Sequence, residues 1–425
     1  MKNYILALAL LSATACHRSA PQEEIMAIQI QDRNGLTETI NASDRLEVYQ
    51  NIDFLSSQPY KKVLRIYRKE GKSHSKISTY HPNGMPWQYL EAQEMRAYGA
   101  YREWFPNGQL KIEATVIGGT ADVVLGAQQD WLFEGLSQVW DERGNLTAKI
   151  PYSKGALEGT SLYFYPDGKK QKEVPFSKNV IQGELREYFS DETLLSTTHY
   201  KNGVKEGASV GYFSNRQVAW NEDYSDGLLR TGTYYTQAGE LFSEVLNGGG
   251  FQAQFSNDRL FYLIEMRHGR PEGRWQKYTP KGDLVSVSHI KNDQQEGEEI
   301  HYYLPSERES VGPSLLPKLS IPWHENKVHG TVQTWYTNGQ IESQREYCRN
   351  KKMGPSLAWY KDGSLMMLEE YEEDRLVKGH YYKKHHKDPV SSIFNGTGVA
   401  TLYDAEGIFL RKVIYSKGKT IDPED

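Results

Sequence analysis

Cysteine is almost missing from this chain: among 425 residues only Cys16 and Cys348 carry a thiol, so no disulfide framework holds the fold together and a buried apolar thiol is expected at Cys348. Apolar residues are scarce too, at 38% against the usual ~45–50%, which excludes a broad aliphatic core. Beyond the first residues no stretch approaches the ~20 apolar residues that a membrane-spanning helix needs. The formal charge of -5, with both signs interspersed, offers no basic field for nucleic acid. Nucleophile elbows, phosphate-cradling loops and zinc-protease helices are all lacking. The expectation is a protein that is not an enzyme and has no cofactor and no metal site.

What the chain has is a period. A Gly recurs every 24 residues through most of its length, at Gly99, Gly135, Gly159, Gly183, Gly207, Gly249, Gly273, Gly297, Gly330, Gly354 and Gly398. With this Gly as position zero, position five is aromatic, as in Trp104, Trp140, Phe164, Tyr188, Tyr212, Tyr278, Tyr302, Trp335, Trp359 and Tyr403. Position nine brings a second Gly, in Asn107-Gly108, Asp167-Gly168, Asn338-Gly339 and Asp362-Gly363. Such pairs mark tight hairpin tips, because the tip needs positive φ. Alternation then resumes, as in Leu110, Ile112, Ala114 and Val116, the pattern of a half-buried strand. A polar turn such as Lys201-Asn202-Gly203 leads to the next Gly.

Each unit is thus two strands and two turns, unable to bury an apolar face until its neighbours stack on it. The expected fold is all-β, an elongated array of stacked antiparallel β-hairpin repeats forming a twisted ribbon. The array spans residues 59–418, with a tether or N-terminal cap over 16–58 and a C-terminal tail over 419–425. Residues 117–129 and 304–321 break the period and read as protruding loops, and Pro305, Pro313, Pro317 and Pro322 argue against a strand in the second.

Position five reads as core. Position six varies from unit to unit, as a surface does, and its aromatics Phe105, Tyr165, Phe189, Phe213, Tyr303, Tyr336 and Tyr360 are the candidate partner-binding residues. Packing on the second face is the plain alternative for them. His380, His385, His386 and Asp388 match no metal-binding spacing and read as part of a solvated basic loop. The acidic run over residues 369–374 reads as a solvated strand edge.

Residues 1–15 form a signal peptide: Lys2 gives a positive start, Tyr4 to Leu11 an apolar stretch, and Ala13-Thr14-Ala15 a small-residue cleavage site before Cys16. This segment resembles a bacterial lipoprotein signal, although Ala13 stands where such signals most often carry Leu. The resemblance implies lipidation at Cys16, export, and a place at the outer membrane or in the periplasm. Membrane contact then runs only through the N-terminal lipid.

The string Tyr200-Lys201-Asn202-Gly203-Val204-Lys205-Glu206-Gly207, followed by Tyr212 and Phe213, resembles the MORN repeat in the bacterial variant of YwqK-type proteins, over roughly residues 75–418. That resemblance implies scaffolding and protein contacts, and YwqK-type proteins are often labelled antitoxins. The resulting expectation is a non-enzymatic exported repeat protein, a lipoprotein, acting as a protein-interaction or envelope scaffold. A toxin-neutralising antitoxin or immunity protein is the alternative. The partner is expected to be a protein, with a glycan as a further candidate and nucleic acid excluded.

Overall fold

A computed structural model describes residues 24–69, 72–124, 126–308 and 315–421; the signal segment and Cys16 lie outside the described residues. The chain divides between Val180 and Ile181 into two compact units. In each, strands follow one another as hairpins, paired antiparallel in open sheet. The only helical pieces among the described residues are the short turns Ser43–Leu46, Glu47–Tyr49 and Ala127–Asp130. An all-β hairpin array is what the period requires.

Two turn geometries alternate along the chain. After the aromatic positions, the Phe105 N–H donates to the Gln109 carbonyl and the Gly108 N–H to the Phe105 carbonyl, both at 2.9 Å. Asn107 Oδ1 accepts the Gln109 N–H at 3.0 Å, and Gly108 has φ +84°. The tip is therefore a three-residue loop closed by a left-handed glycine, one residue longer than the tightest hairpin. The turns between units are the tighter kind. Asn202 and Gly203 have φ of 52° and 80°, and even the non-glycine pair Arg349 and Asn350 holds 49° and 71°, the double left-handed turn that suits strand twist.

The recurring Gly answers to positive φ, and at some positions to close packing as well. Gly273 sits at φ +111°, and a Cβ there would come within 2.5 Å of the Glu265 carboxyl carbon, because that side chain lies across the glycine. Pro151 and Pro322 lie over Gly159 and Gly330 in the same way. This explains how Pro317–His324 forms a strand despite its two prolines. Pro322 faces the gap between the pairings Ser320 to Gln333 and Trp323 to Val328, where the ladder is interrupted and a missing N–H costs little. The second insertion therefore becomes sheet from Pro317 onward.

The first insertion does not protrude either. Val123, Ala127 and Trp131 are buried with Leu90 and Tyr101. The Trp131 indole N–H donates to the Thr120 carbonyl at 2.8 Å, and the Gln128 amide donates to the Tyr101 hydroxyl at 2.7 Å. Its apolar residues fold the segment down as a lid, since leaving them in water is unfavourable. Residues 24–58 are a cap and not a tether: Ile28, Ile40, Leu46 and Phe54 pack against Val63, Tyr67 and Tyr80. The tail expected over 419–425 begins as a strand, Lys419–Ile421, paired with Phe409–Ser416.

The second unit contains a duplicated core. Glu222, Tyr224, Leu229, Gly232 and Tyr234 recur at unchanged spacing as Glu369, Tyr371, Leu376, Gly379 and Tyr381, and each set is buried around its carboxylate. Glu222 accepts from Tyr224 at 2.9 Å and from Tyr234 and Gln252 at 2.8 Å. Glu369 accepts from Tyr371 at 3.1 Å and Tyr381 at 2.6 Å. The acidic run is thus solvated only in part: Glu369 faces the core, while Glu370, Glu372, Glu373 and Asp374 are exposed.

Candidate interaction surface

Along Lys351–Trp359, Ser356 and Ala358 are buried, while Trp359 is only half-buried on the opposite face. The pattern repeats. Ser137, Ser161, Ser209 and Ser343 occupy the tightly buried line, whereas Trp104, Trp140, Tyr212, Tyr278, Trp335 and Trp359 are half-exposed. Position five is therefore not the buried core expected of it. Each of these rings sits across its tip from an aliphatic residue: Trp104 opposite Leu110, Tyr212 opposite Val218, Trp335 opposite Ile341, Trp359 opposite Leu365. Such cross-strand pairs stabilise a hairpin, and here they leave an apolar patch half open, unit after unit.

Position six goes the other way in three units: Phe213, Tyr336 and Tyr360 are 2%, 7% and 0% exposed, whereas Phe105, Tyr165, Phe189 and Tyr303 are covered to the same intermediate degree as position five. The Tyr303 hydroxyl donates to the Trp335 carbonyl at 2.6 Å, Tyr336 to the Trp359 carbonyl at 2.7 Å, and Tyr360 to the Tyr382 carbonyl at 2.7 Å. Phe213 meets Phe255 edge to face, centroids 5.1 Å apart. Burial pushes the Tyr336 and Tyr360 hydroxyls up to about 12. The plain alternative, packing, is what Phe213, Tyr303, Tyr336 and Tyr360 show, since these four join one tip to the next. The reversal arises at the tip, where the sixth residue opens the loop and its ring is enclosed by the neighbouring tip.

Other staples carry a sequence signal that position five and six overshadow. A Glu or Gln directly precedes the recurring Gly in several units, and its side chain caps the next inter-unit turn. Glu158 accepts the Lys178 N–H at 2.8 Å, Gln182 the Asn202 N–H at 2.8 Å, and Glu206 the Asp226 N–H at 2.7 Å. At the tips, Asn107 and Asn338 donate to the carbonyls of Glu142 and Lys361, at 2.8 and 3.0 Å. Both edges are thereby laced unit to unit, which leaves the partly covered aromatic face as the candidate surface of each unit.

Two of the candidate histidines are engaged locally. His380 Nδ1 lies 3.0 Å from Ser392 Oγ and His385 Nε2 lies 3.3 Å from Asp362. No cluster of three metal-ligating side chains occurs among the described residues. Cys348 is a free thiol and only half-buried, not enclosed in an apolar core.

Residues 97–117, 157–178 and 328–349 match the family model described as the MORN repeat variant. These matches support a MORN-repeat protein. Each covers one hairpin with its recurring Gly, its fifth-position aromatic and its three-residue tip, so the MORN repeat here is the unit whose edges are stapled and whose aromatic face is half open. No curated protein matches the chain.

Proposed function

We propose that this is a non-enzymatic, exported MORN-repeat protein, anchored by a lipid on Cys16, that uses the fifth-position aromatic face as a scaffold surface for a protein partner. One observation carries the reading: within each unit the Trp and Tyr rings of position five stay half-exposed beside an aliphatic partner, while both edges are consumed by internal hydrogen bonds. Half-exposed aromatics provide contact area at small entropic cost, and tyrosine and tryptophan are the side chains enriched where proteins meet.

A photo-crosslinking side chain placed at Trp335 or Trp359 is expected to capture one discrete partner in intact cells, and the same group at the buried Tyr360 is not. Equal yields from both positions would remove the aromatic face from the proposal. Rescue of growth on co-expression with a toxin would reassign the partner as a toxin. For the anchor, Cys16→Ser or globomycin is expected to leave the signal segment uncut; normal processing would rule the lipid out.

A further inference from the structure

Three consecutive repeats lack the staple that many of the others use. Where neighbouring units place Phe213, Tyr303, Tyr336 and Tyr360, the units between carry Thr236, Ser256 and Thr279. The middle tip is also a residue shorter: Ser256 pairs with Arg259 around the two-residue turn Asn257-Asp258, φ 47° and 62°. The threonines have turned inward on their own loops, Thr279 Oγ1 accepting the N–H groups of Lys281 and Asp283 at 3.2 and 3.1 Å. No ring therefore fills the space between these tips, and a cleft of about 270 Å³ opens there, with Phe213, Tyr235, Phe242, Phe255 and Leu260 among its walls.

The rim of the cleft carries two cations and one carboxylate, a net positive balance. Its carboxylate, Asp258, is already engaged, accepting from the Ser214 N–H at 2.9 Å and from the Ser214 hydroxyl. Arg259 and Lys281, both exposed rim residues, form no ion pair among the described residues. Phe242, one of the cleft walls, remains 43% exposed. The volume falls below the ~300–1,000 Å³ of pockets that enclose whole small-molecule ligands, and suits a single aromatic side chain.

We propose that this cleft takes a tyrosine from an acidic segment of a partner protein, the incoming ring occupying the slot that Tyr336 and Tyr360 fill in their own units. The intact slots show the chemistry required: a ring enclosed between tips, its hydroxyl donating to a main-chain carbonyl. The two unpaired cations at the rim select acidic flanks over basic ones. The assignment rests on the reading of the array as a binding protein and adds to it a specific site and partner chemistry.

The test uses the full chain and a fluorescein-labelled peptide in which one tyrosine is flanked on each side by Asp and Glu. Saturable binding is expected, weakened by about tenfold or more when the peptide tyrosine becomes alanine and likewise in the Arg259→Glu, Lys281→Glu double variant. Thr279→Tyr fills the slot from within, and should abolish binding while leaving the melting temperature unchanged or raised. Ser256→Phe, at an exposed tip, serves the same purpose should Thr279→Tyr fold poorly. Absence of saturable binding at millimolar peptide, equal binding of a lysine-flanked peptide, or undiminished binding by a folded slot-filled variant would each overturn the proposal. If the peptide fails while crosslinks from Trp359 persist, the cleft assignment falls and the scaffold reading stands.

Discussion

The hydroxyls of Tyr336 and Tyr360 connect residues that no backbone ladder joins, each donating to a carbonyl of the following repeat. Replacing either by Phe keeps the ring and removes one hydrogen bond, an expected loss of about 1 kcal/mol in local stability. The pH dependence follows from the same burial. Both hydroxyls ionise at about 12 in the fold against 10.0 outside it, so the folded state favours the protonated form. Their stabilisation is complete below pH 10 and is lost as pH rises toward 12. A urea midpoint that falls over this range, and falls less in the Tyr336→Phe, Tyr360→Phe protein, is the expected result. The buried carboxylates act more strongly. Glu222→Leu leaves Tyr224, Tyr234 and Gln252 without their acceptor, at an expected cost of about 3 kcal/mol. It should be read as lost hydrogen-exchange protection in the strands Val218–Ser225 and Leu228–Tyr235.

At the scale of the hairpin, two glycines of similar backbone conformation are expected to behave differently. Gly273 has φ +111° with the Glu265 side chain across it, whereas tip Gly168 has φ +84° and nothing within 4 Å of an added Cβ. Gly168→Ala should cost about 1–2 kcal/mol, the strain of a left-handed alanine alone. Gly273→Ala adds displacement of Glu265, whose carboxylate accepts the Arg274 N–H at 3.0 Å, and should destabilise more; thermal unfolding of the two variants side by side checks the order. The lid over residues 117–131 is the other element with a measurable role. Trp131 is 4% exposed, and Trp131→Ala is expected to cost about 3–5 kcal/mol, with faster proteolysis between Ile117 and Trp131. Much at this scale was legible in the sequence. Asn107-Gly108 announced a tip and Asn202-Gly203 an inter-unit turn, because turn chemistry acts within a few residues. The lid was not legible: Val123, Ala127 and Trp131 have no strand or helix period, and only Tyr101 and Leu90 beneath them give the segment a surface to cover. Pro322 misled because its tolerance depends on a break in the ladder with the strands that follow it, and that break is set by the pairing and not by residue type.

For the molecule as a whole, stability within each unit accumulates from neighbour to neighbour, as in other repeat architectures. Trp359→Ala should therefore open the hairpins around Gly330–Trp335, Lys351–Trp359 and Leu365–Glu372, with hydrogen-exchange protection in Val204–Tyr212 unchanged; a uniform loss through the second unit would contradict nearest-neighbour coupling. The duplicated cluster around Glu222 and Glu369 shows that this unit reuses a larger block than the single repeat, a relation plain in the residues once the Tyr and Glu positions are aligned. The sequence by itself determined the all-β class, the period, the sites of the turns and the MORN resemblance, because each depends on residue type at short, fixed spacing. Only the tertiary structure decided which aromatics are enclosed and which are open. That choice depends on contacts such as Tyr336 to Trp359 and Tyr303 to Trp335, 23 and 32 residues apart, where one tip closes over another. An alternating strand pattern names two faces and leaves open which one the neighbouring repeat will cover.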